Sequence, residues 1–80
     1  MPHYYFDTRD GGNLSCDEVG LVLPDVAAAT KMAARSLAEL ALELIPNCHA
    51  RCLRVDVRDD REAVLTTELT FKAVLLAATP

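Results

Sequence analysis

The sequence contains no tryptophan, only three glycines and only three cysteines among its 80 residues. An odd number of cysteines in a short chain does not suit a disulfide scaffold, so we expect reduced thiols in a cytoplasmic protein. Basic residues are also few, because eight lysines and arginines stand against twelve aspartates and glutamates, for a net charge of −4. Nucleic acid attracts basic surfaces, so we expect no nucleic-acid partner.

Long hydrophobic runs are absent as well. The longest, residues 73–78, is far shorter than the roughly 20 residues of a membrane-spanning helix. The first residues, MPHYYF, lack the basic start and apolar core of an export signal, so we expect neither a membrane nor an exported protein. Hydrophobic residues still make up 51% of the chain, which excludes intrinsic disorder and predicts one small domain over residues 1–80.

The apolar pattern predicts one helix between two β-hairpins. Apolar residues at spacings of three and four over residues 26–45 indicate an amphipathic helix, with Asp25 as its N-cap and Pro46 at its end. Alternating polar and apolar residues favour strands on either side of it. The predicted strands are residues 3–9, 21–23, 53–58 and 64–72, and residues 73–80 extend the last strand or form a tail.

These elements predict a two-layer α+β fold of the order ββαββ. A four-stranded, mostly antiparallel sheet would carry the helix on one face and leave the other face polar. The helix face predicted to be buried is Val26, Thr30, Ala33, Leu37, Leu40, Ala41 and Leu44. The residues of the last strand predicted to face the helix are Leu65, Thr67, Leu69, Phe71, Ala73 and Leu75. Its predicted solvent face is Val64, Thr66, Glu68, Thr70 and Lys72.

Several motifs along the chain resemble a known family. They are Tyr4-Tyr5-Phe6-Asp7, Arg9-Asp10-Gly11, Asp17-Glu18 with Gly20, Leu23-Pro24-Asp25, Ala28-Ala29, Val55-Asp56-Val57 and Asp59-Asp60. Together they resemble domain of unknown function family 6894, small uncharacterised bacterial proteins common in alphaproteobacteria. The resemblance implies the same fold and a bacterial cytoplasmic setting, but no activity and no catalytic residue. The chain differs from the family at Gly12-Asn13 and Glu62, and it runs on past Phe71.

Cys48, His49 and Cys52 offer the thiolate and imidazole ligands that zinc uses, with Cys16 and His3 elsewhere in the chain. The two cysteines are not separated by two residues, as they are in the usual zinc pairs. We interpret them as incidental thiols in a loop after the helix. The alternative is a metal- or redox-responsive protein that uses Cys48, His49 and Cys52.

Oxygen ligands gather near the first turn at Asp7, Asp10, Asn13, Asp17 and Glu18. Calcium prefers such ligands, but the spacing does not match a calcium-binding loop. Asp and Asn side chains also bond their own backbone in turns, and this is the interpretation that we prefer.

A basic stripe on the open face of the sheet, near Tyr5, would consist of Arg51, Arg54, Arg58 and Lys72. Sheets with such a stripe and exposed aromatic residues bind RNA. Acidic residues are predicted on the same face at Asp7, Asp56 and Glu68. We therefore expect cross-strand ion pairs instead of an RNA surface.

A nucleophilic arrangement of His3 with Ser15 or Ser36 has no third residue to orient it, so we expect no enzyme and no cofactor. We assign no catalytic, cofactor-binding or metal-binding residue. The small size and the apolar residues 73–76 predict a non-enzymatic interaction module that self-associates as a two-fold dimer, through a sheet edge or the end of the last strand. An unidentified protein partner is a further expectation.

Overall fold

Five strands, one α-helix and one short 3-10 helix make up the chain in the computed structural model, which describes residues 1–77 apart from the side chain of residue 47. In chain order they are β1 (His3–Asp10), β2 (Asn13–Ser15), β3 (Leu21–Val22), α1 (Val26–Leu44), the 3-10 helix (Ile45–Asn47), β4 (Ala50–Arg58) and β5 (Ala63–Lys72). One helix and an antiparallel sheet confirm the predicted α+β class. The strand that the prediction lacks is β2, because its three residues are too few to show an alternating pattern.

The first hairpin is tighter than the sequence indicates. Asp10 pairs with Asn13, so β1 and β2 are joined by Gly11 and Gly12 alone. Gly11 has a φ of 60°, the left-handed conformation that two-residue hairpin loops require. The predicted second strand, β3, pairs with the other end of β1, where its two residues lie opposite His3 and Tyr4.

The strand order of the sheet is β2-β1-β4-β5, with β3 paired to β1, and every pairing is antiparallel. The two central strands are therefore β1 and β4. The two edges differ in length, because β2 has three residues and β5 has ten. No strand among residues 1–77 pairs with the outer edge of β5.

The helix begins where the sequence predicts. The side chain of Asp25 accepts a hydrogen bond of 2.8 Å from the backbone N–H of Ala28, which satisfies one of the unpaired donors of the first turn. Pro46 has no N–H to continue the ladder, so α1 ends at Leu44 and the chain tightens into the 3-10 helix. No helix in the described part of the chain is long and apolar enough to cross a bilayer.

The helix turns a slightly different face to the sheet than predicted. Its fully buried residues are Ala29, Ala33 and Leu37, and the predicted Leu40, Ala41 and Leu44 pack beside them. Val26 and Thr30 are exposed, which corrects the prediction for the first two turns. Because alanine side chains are small, the helix approaches the sheet most closely at Ala29 and Ala33, and these residues are therefore buried.

Both central strands alternate between the core and the open face. Leu53, Val55 and Val57 of β4 are completely buried, as predicted, and Leu65 and Leu69 of β5 pack against the same core. The predicted outward position of Val64 is wrong. Arg58 pairs with Ala63 while Val57 pairs with Leu65, so Val64 is the extra residue of a β-bulge and packs on the core.

The last strand ends at Lys72. Residues 73–77 therefore form the predicted tail and not the predicted extension of the strand. The backbone N–H of Ala73 still donates to the carbonyl of His49 at 2.7 Å, after which the chain leaves the ladder. Val74, Leu75 and Leu76 are exposed by 64%, 82% and 96%. The predicted inward positions of Ala73 and Leu75 are therefore wrong, because both residues follow the end of the strand and are exposed. Residues 78–80 of the predicted extension lie outside the described residues.

Candidate functional site

The acidic residues of the first turn fasten the loop between β2 and β3 to β1. The carboxylate of Asp7 accepts from the backbone N–H of Asp17 at 2.8 Å. In return, the carboxylate of Asp17 accepts from the backbone N–H groups of Phe6, Val19 and Gly20, each at 3.0 Å. Of the oxygens considered above as calcium ligands, those of Asp17 therefore bond the main chain of their own turn, as the turn interpretation predicts. The Asp7 carboxylate bonds main chain ten residues away, and that of Asp10 bonds Arg51 instead.

The charge of Asp17 is held in place by these contacts. Partial burial alone would raise the pKa of Asp17, but the three backbone donors, with help from Arg58, outweigh it and hold the pKa below its ordinary value. Such a carboxylate is fully ionised at neutral pH. It acts as a structural acceptor instead of an acid or base.

Tyr5 lies beside this loop on the open face of the sheet. The guanidinium of Arg58 lies 4.4 Å from the centre of the Tyr5 ring, and the His3 ring stacks on Tyr5 with centroids 4.8 Å apart. Arg58 also donates to the carboxylate of Asp7 at 2.9 Å and to the carbonyl of Asp17 at 2.9 Å. Arg58 therefore connects the Tyr5 ring, the Asp7 carboxylate and the backbone of the loop at Asp17.

Gly20 closes the same cluster. Its φ of 71° is left-handed, and a Cβ there would lie 2.6 Å from the His3 ring and 2.7 Å from the carbonyl oxygen of Tyr4. The imidazole Nε2 of His3 is in turn 2.8 Å from the carbonyl of Val19. His3 is thus engaged with this loop, and no hydrogen bond in the described chain joins it to Ser15 or Ser36.

Arg51 lies on the helix side of the sheet, which corrects its predicted place in the basic stripe. It forms two hydrogen bonds to the carboxylate of Asp10, at 2.8 and 3.0 Å, and its Nη1 lies 3.4 Å from the carbonyl of Leu44. The residue therefore ties β1 and β4 to the last residue of the helix. The predicted stripe loses one of its four members.

The remaining basic side chains of β4 are paired with acids. Arg58 and Asp7 form the expected cross-strand ion pair, and Arg54 pairs with Asp56 two residues along its own strand, at 2.8 Å. The Asp56 carboxylate also accepts from the hydroxyl of Thr66. Burial alone would raise the pKa of Asp56, but the bonds from Thr66 and Arg54 lower it.

The candidate metal ligands occupy different surroundings. Cys48 is half-buried and its thiol donates to the carbonyl of Ile45 at 3.3 Å, whereas His49 is exposed. Cys52 lies in β4 and not in the predicted loop, because the strand begins at Ala50. It is exposed on the open face of the sheet, with its sulfur 3.9 Å from the hydroxyl of Thr70. No group of three or more His, Cys, Asp or Glu side chains within the described residues is placed to hold a metal ion.

An open groove of about 540 Å³ runs along the first half of the helix. Its lining residues are Leu23, Asp25, Ala27, Ala28, Lys31, Met32 and Arg35. The periodic pattern gives no sign of this groove, because it marks the face of the helix that packs on the sheet and not the flank beside it.

The outer edge of β5 and the apolar segment that follows it form the remaining candidate surface. We define this edge surface as the exposed residues Thr66, Glu68, Thr70 and Lys72 with residues 73–76. Within residues 1–77, no ion pair involves Glu68 or Lys72. The apolar residues at the end of the chain are the part of this surface that sequence reasoning identified.

A family model described as a domain of unknown function, DUF6894, matches residues 3–70. The chain belongs to this family. No curated protein and no solved structure matches the chain. The DUF6894 match covers Tyr5, Asp7, Asp17 and Gly20, which build the loop cluster, and it stops before the end of β5. Residues 71–77, with the exposed apolar segment, therefore lie beyond the part of this DUF6894 chain that the family model describes.

Proposed function

We propose that this DUF6894 protein is a non-enzymatic interaction module that self-associates as a homodimer through the edge surface. The observation that carries the proposal is the outer edge of the ten-residue β5, with which no strand among residues 1–77 pairs, followed by Val74, Leu75 and Leu76 with their side chains exposed. A long unpaired edge strand is a template for pairing with another chain. Exposed apolar residues next to such an edge favour the same event.

The small core also favours a partner. Only seven of the described residues are buried, and two of these seven are alanines, which contribute little apolar surface to the core. A domain of this size buries about 60% of the surface of its unfolded chain and is only marginally stable. Covering the edge surface with a second copy would add apolar burial to each protomer and would shift the folding equilibrium toward the native state.

The polar clusters favour a role without catalysis. Asp7, Asp17 and Arg58 bond one another and the loop backbone, and Arg51 bonds Asp10 and the helix end. Each of these groups makes at least one hydrogen bond that holds elements of the fold together. A general base or nucleophile needs a partner aimed at an open position instead.

Sedimentation equilibrium of the full chain and of a version that ends at Lys72 tests self-association. We expect a dimer for the full chain at roughly ten to one hundred micromolar, a range typical of weak homodimers, and a weaker dimer or monomer for the shortened chain. A monomeric full chain over that range contradicts the proposal.

Two aspartate substitutions separate the edge surface from exposed apolar residues in general. Leu75→Asp places a charge in the edge surface, whereas Leu42→Asp changes a helix residue that is equally exposed, at 79% against 82%. We expect Leu75→Asp to dissociate the dimer and Leu42→Asp to leave it intact. Equal effects of both would point to a different interface.

A metal- or redox-responsive role for Cys48, His49 and Cys52 is the second candidate. It is favoured by the free thiols of all three cysteines, two of them exposed. Thiol titration is expected to show two fast-reacting groups and a slower one at Cys48, whose thiol is half-buried and hydrogen-bonded. Native mass spectrometry with zinc decides the metal role: one bound zinc that is lost in Cys52→Ser supports it, and no bound zinc removes it.

We also propose a bacterial, alphaproteobacterial setting and a cytoplasmic location. The family resemblance supports the first, and free exposed thiols at Cys16 and Cys52 support a reducing compartment. Fractionation of a rhizobial cell that expresses the tagged full chain should recover it with the cytosol. Recovery with the periplasm would contradict the location.

A further inference from the structure

The backbone of β5 restricts how a second copy can pair with its free edge. Ala73 donates to His49 in register with the β4–β5 ladder, in which Ala50 lies opposite Lys72. Main-chain groups alternate between the two sides of a strand. Residues 69, 71 and 73 therefore direct their N–H and C=O groups toward β4, and residues 66, 68, 70 and 72 direct theirs outward.

Charge selects one register among those that this alternation allows. Two antiparallel copies of β5 must place outward-directed residues opposite one another, and the charged ones are Glu68 and Lys72. A two-fold axis at Glu68 would set two carboxylates side by side, which is unfavourable. An axis at Thr70 instead sets Glu68 of each protomer directly opposite the partner's Lys72, so two oppositely charged pairs form.

Resting on the proposed self-association, we infer that a second copy of this chain docks on β5 in antiparallel orientation with Thr70 on the two-fold axis. The two sheets then join into one, with both helices on the same face. The pairing neutralises Lys72, whose charge would otherwise discourage edge pairing. It also gives Glu68 an opposite charge, although Arg54 lies across from it on β4 and is bonded to Asp56 instead.

The same register covers the exposed apolar residues. If pairing continues past Lys72, residues 73–75 lie along residues 65–67 of the partner, with Leu75 opposite Leu65. Leu65 is half-buried against the core and Leu75 has the same parity, so their contact extends that core across the axis. Five hydrogen-bonded pairs with two bonds each give roughly ten main-chain bonds, a number typical of specific interfaces.

Charge reversal tests the two ion pairs. Glu68→Lys and Lys72→Glu each replace both attractive pairs with repulsive ones, and we expect each to weaken dimerisation about tenfold. The double variant Glu68→Lys with Lys72→Glu restores opposite charges and should return the dissociation constant to within about threefold of the original. If both single variants dimerise more weakly and the double variant does not regain the original dissociation constant, the register is wrong. Both residues are exposed, and circular dichroism melting confirms that each variant is folded.

Cysteine cross-linking tests the axis independently of charge. In a full chain that carries Cys16→Ser and Cys52→Ser, Thr70→Cys places two thiols opposite each other, with Cα atoms roughly 5.5 Å apart, within the range for a disulfide. We expect oxidation to give a covalent dimer, while Glu68→Cys, which would face the partner's Lys72, gives none.

The outcomes separate this inference from the proposed function. A covalent Thr70→Cys dimer supports the register. A chain that dimerises but cross-links through Glu68→Cys, or through neither variant, overturns the register and leaves self-association standing. A chain that is monomeric in sedimentation overturns both.

Discussion

Arg51 and Asp10 are joined by two parallel hydrogen bonds, Nε to Oδ1 at 2.8 Å and Nη2 to Oδ2 at 3.0 Å, at the end of the sheet where the helix stops. Both side chains are about 70% covered, since 30% and 28% of their surfaces remain exposed. Burial of this degree makes a two-bond ion pair worth more than a solvated one. The contact also positions the guanidinium beside the carbonyl of Leu44.

We predict that Arg51→Ala lowers the free energy of unfolding by about 1–2 kcal/mol, because it leaves the Asp10 carboxylate and a helix carbonyl without their donor. The matched control is Arg35→Ala, which removes an exposed ion pair to Glu39 on the helix and should cost no more than about 0.5 kcal/mol. Urea denaturation measures both. Equal losses would show that Arg51 does not connect the sheet to the helix end.

The three glycines form a second series. Gly20→Ala introduces a side chain at a φ of 71° and against the His3 ring, whereas Gly11→Ala has a φ of 60° but open space around it. Gly12→Ala meets neither obstacle. We expect the free energy of unfolding to fall by about 3 kcal/mol for Gly20→Ala, by about 1 kcal/mol for Gly11→Ala and by about 0 kcal/mol for Gly12→Ala. Backbone strain at a positive φ costs roughly 1 kcal/mol, and at Gly20 the clash adds to it. If Gly11→Ala lowers the melting temperature more than Gly20→Ala does, the loop does not pack on β1 as the structure shows.

Asp17 makes stability depend on pH. Its pKa is lower in the folded chain than in the unfolded one, where it is about 3.9, so the unfolded state binds the proton more readily. The stabilisation from its ionised form is complete above about pH 4 to 5 and is lost as the pH falls through the folded pKa.

We therefore expect Asp17→Asn to be less stable than the natural chain by about 1–2 kcal/mol at pH 7, with the difference narrowing toward pH 2.5. Glu18→Gln is the control, because no hydrogen bond within the described residues engages the Glu18 side chain. Its difference from the natural chain should be small at both pH values. If the difference in free energy of unfolding between Asp17→Asn and the natural chain does not change with pH, the charge of Asp17 is not what holds the loop.

Neighbouring alanines on the helix test its packing. Ala33 is completely buried against the sheet, and Ala34 is exposed. We expect Ala33→Leu to destabilise the protein by about 1–3 kcal/mol through overpacking, and Ala34→Leu to change its stability by less than about 0.5 kcal/mol. The same denaturation measurement applies to both variants. A tolerated leucine at position 33 would mean that the helix lies further from β4 than described.

The alternation of β4 and the N-cap of the helix were predictable from the sequence because each depends on neighbouring residues. Arg51 shows where this reasoning failed: the strand was predicted to start at Leu53, although Arg51 has the same parity as Leu53 and so faces the helix. Val64 failed for another reason, since a β-bulge depends on the pairing with Arg58 and leaves no mark in the pattern of one strand.

The helix face and the loop cluster show a further limit. Ala27, Ala28 and Ala29 are equivalent by composition, so the rotation of the first helical turn depends on the sheet beneath it and not on its own residues. Asp17 lies in a turn as expected, whereas Asp7 lies in β1, and the bond between them joins residues ten apart in sequence, which no local pattern encodes. The sequence did indicate that residues 73–76 are an apolar segment that either extends the last strand into a subunit contact or forms a tail.

The unequal lengths of the two sheet edges limit how far such an assembly could grow. A pair that joins two copies of β5 uses the long edge of each, and what remains at either end is formed by β2 and β3, with three and two residues. Edge strands this short offer a third copy few main-chain hydrogen bonds. A two-fold contact also uses the same surface of both protomers, so neither protomer keeps a β5 edge for further pairing. Titration should therefore reach a plateau at two chains, and raising the concentration further should yield saturation instead of fibres.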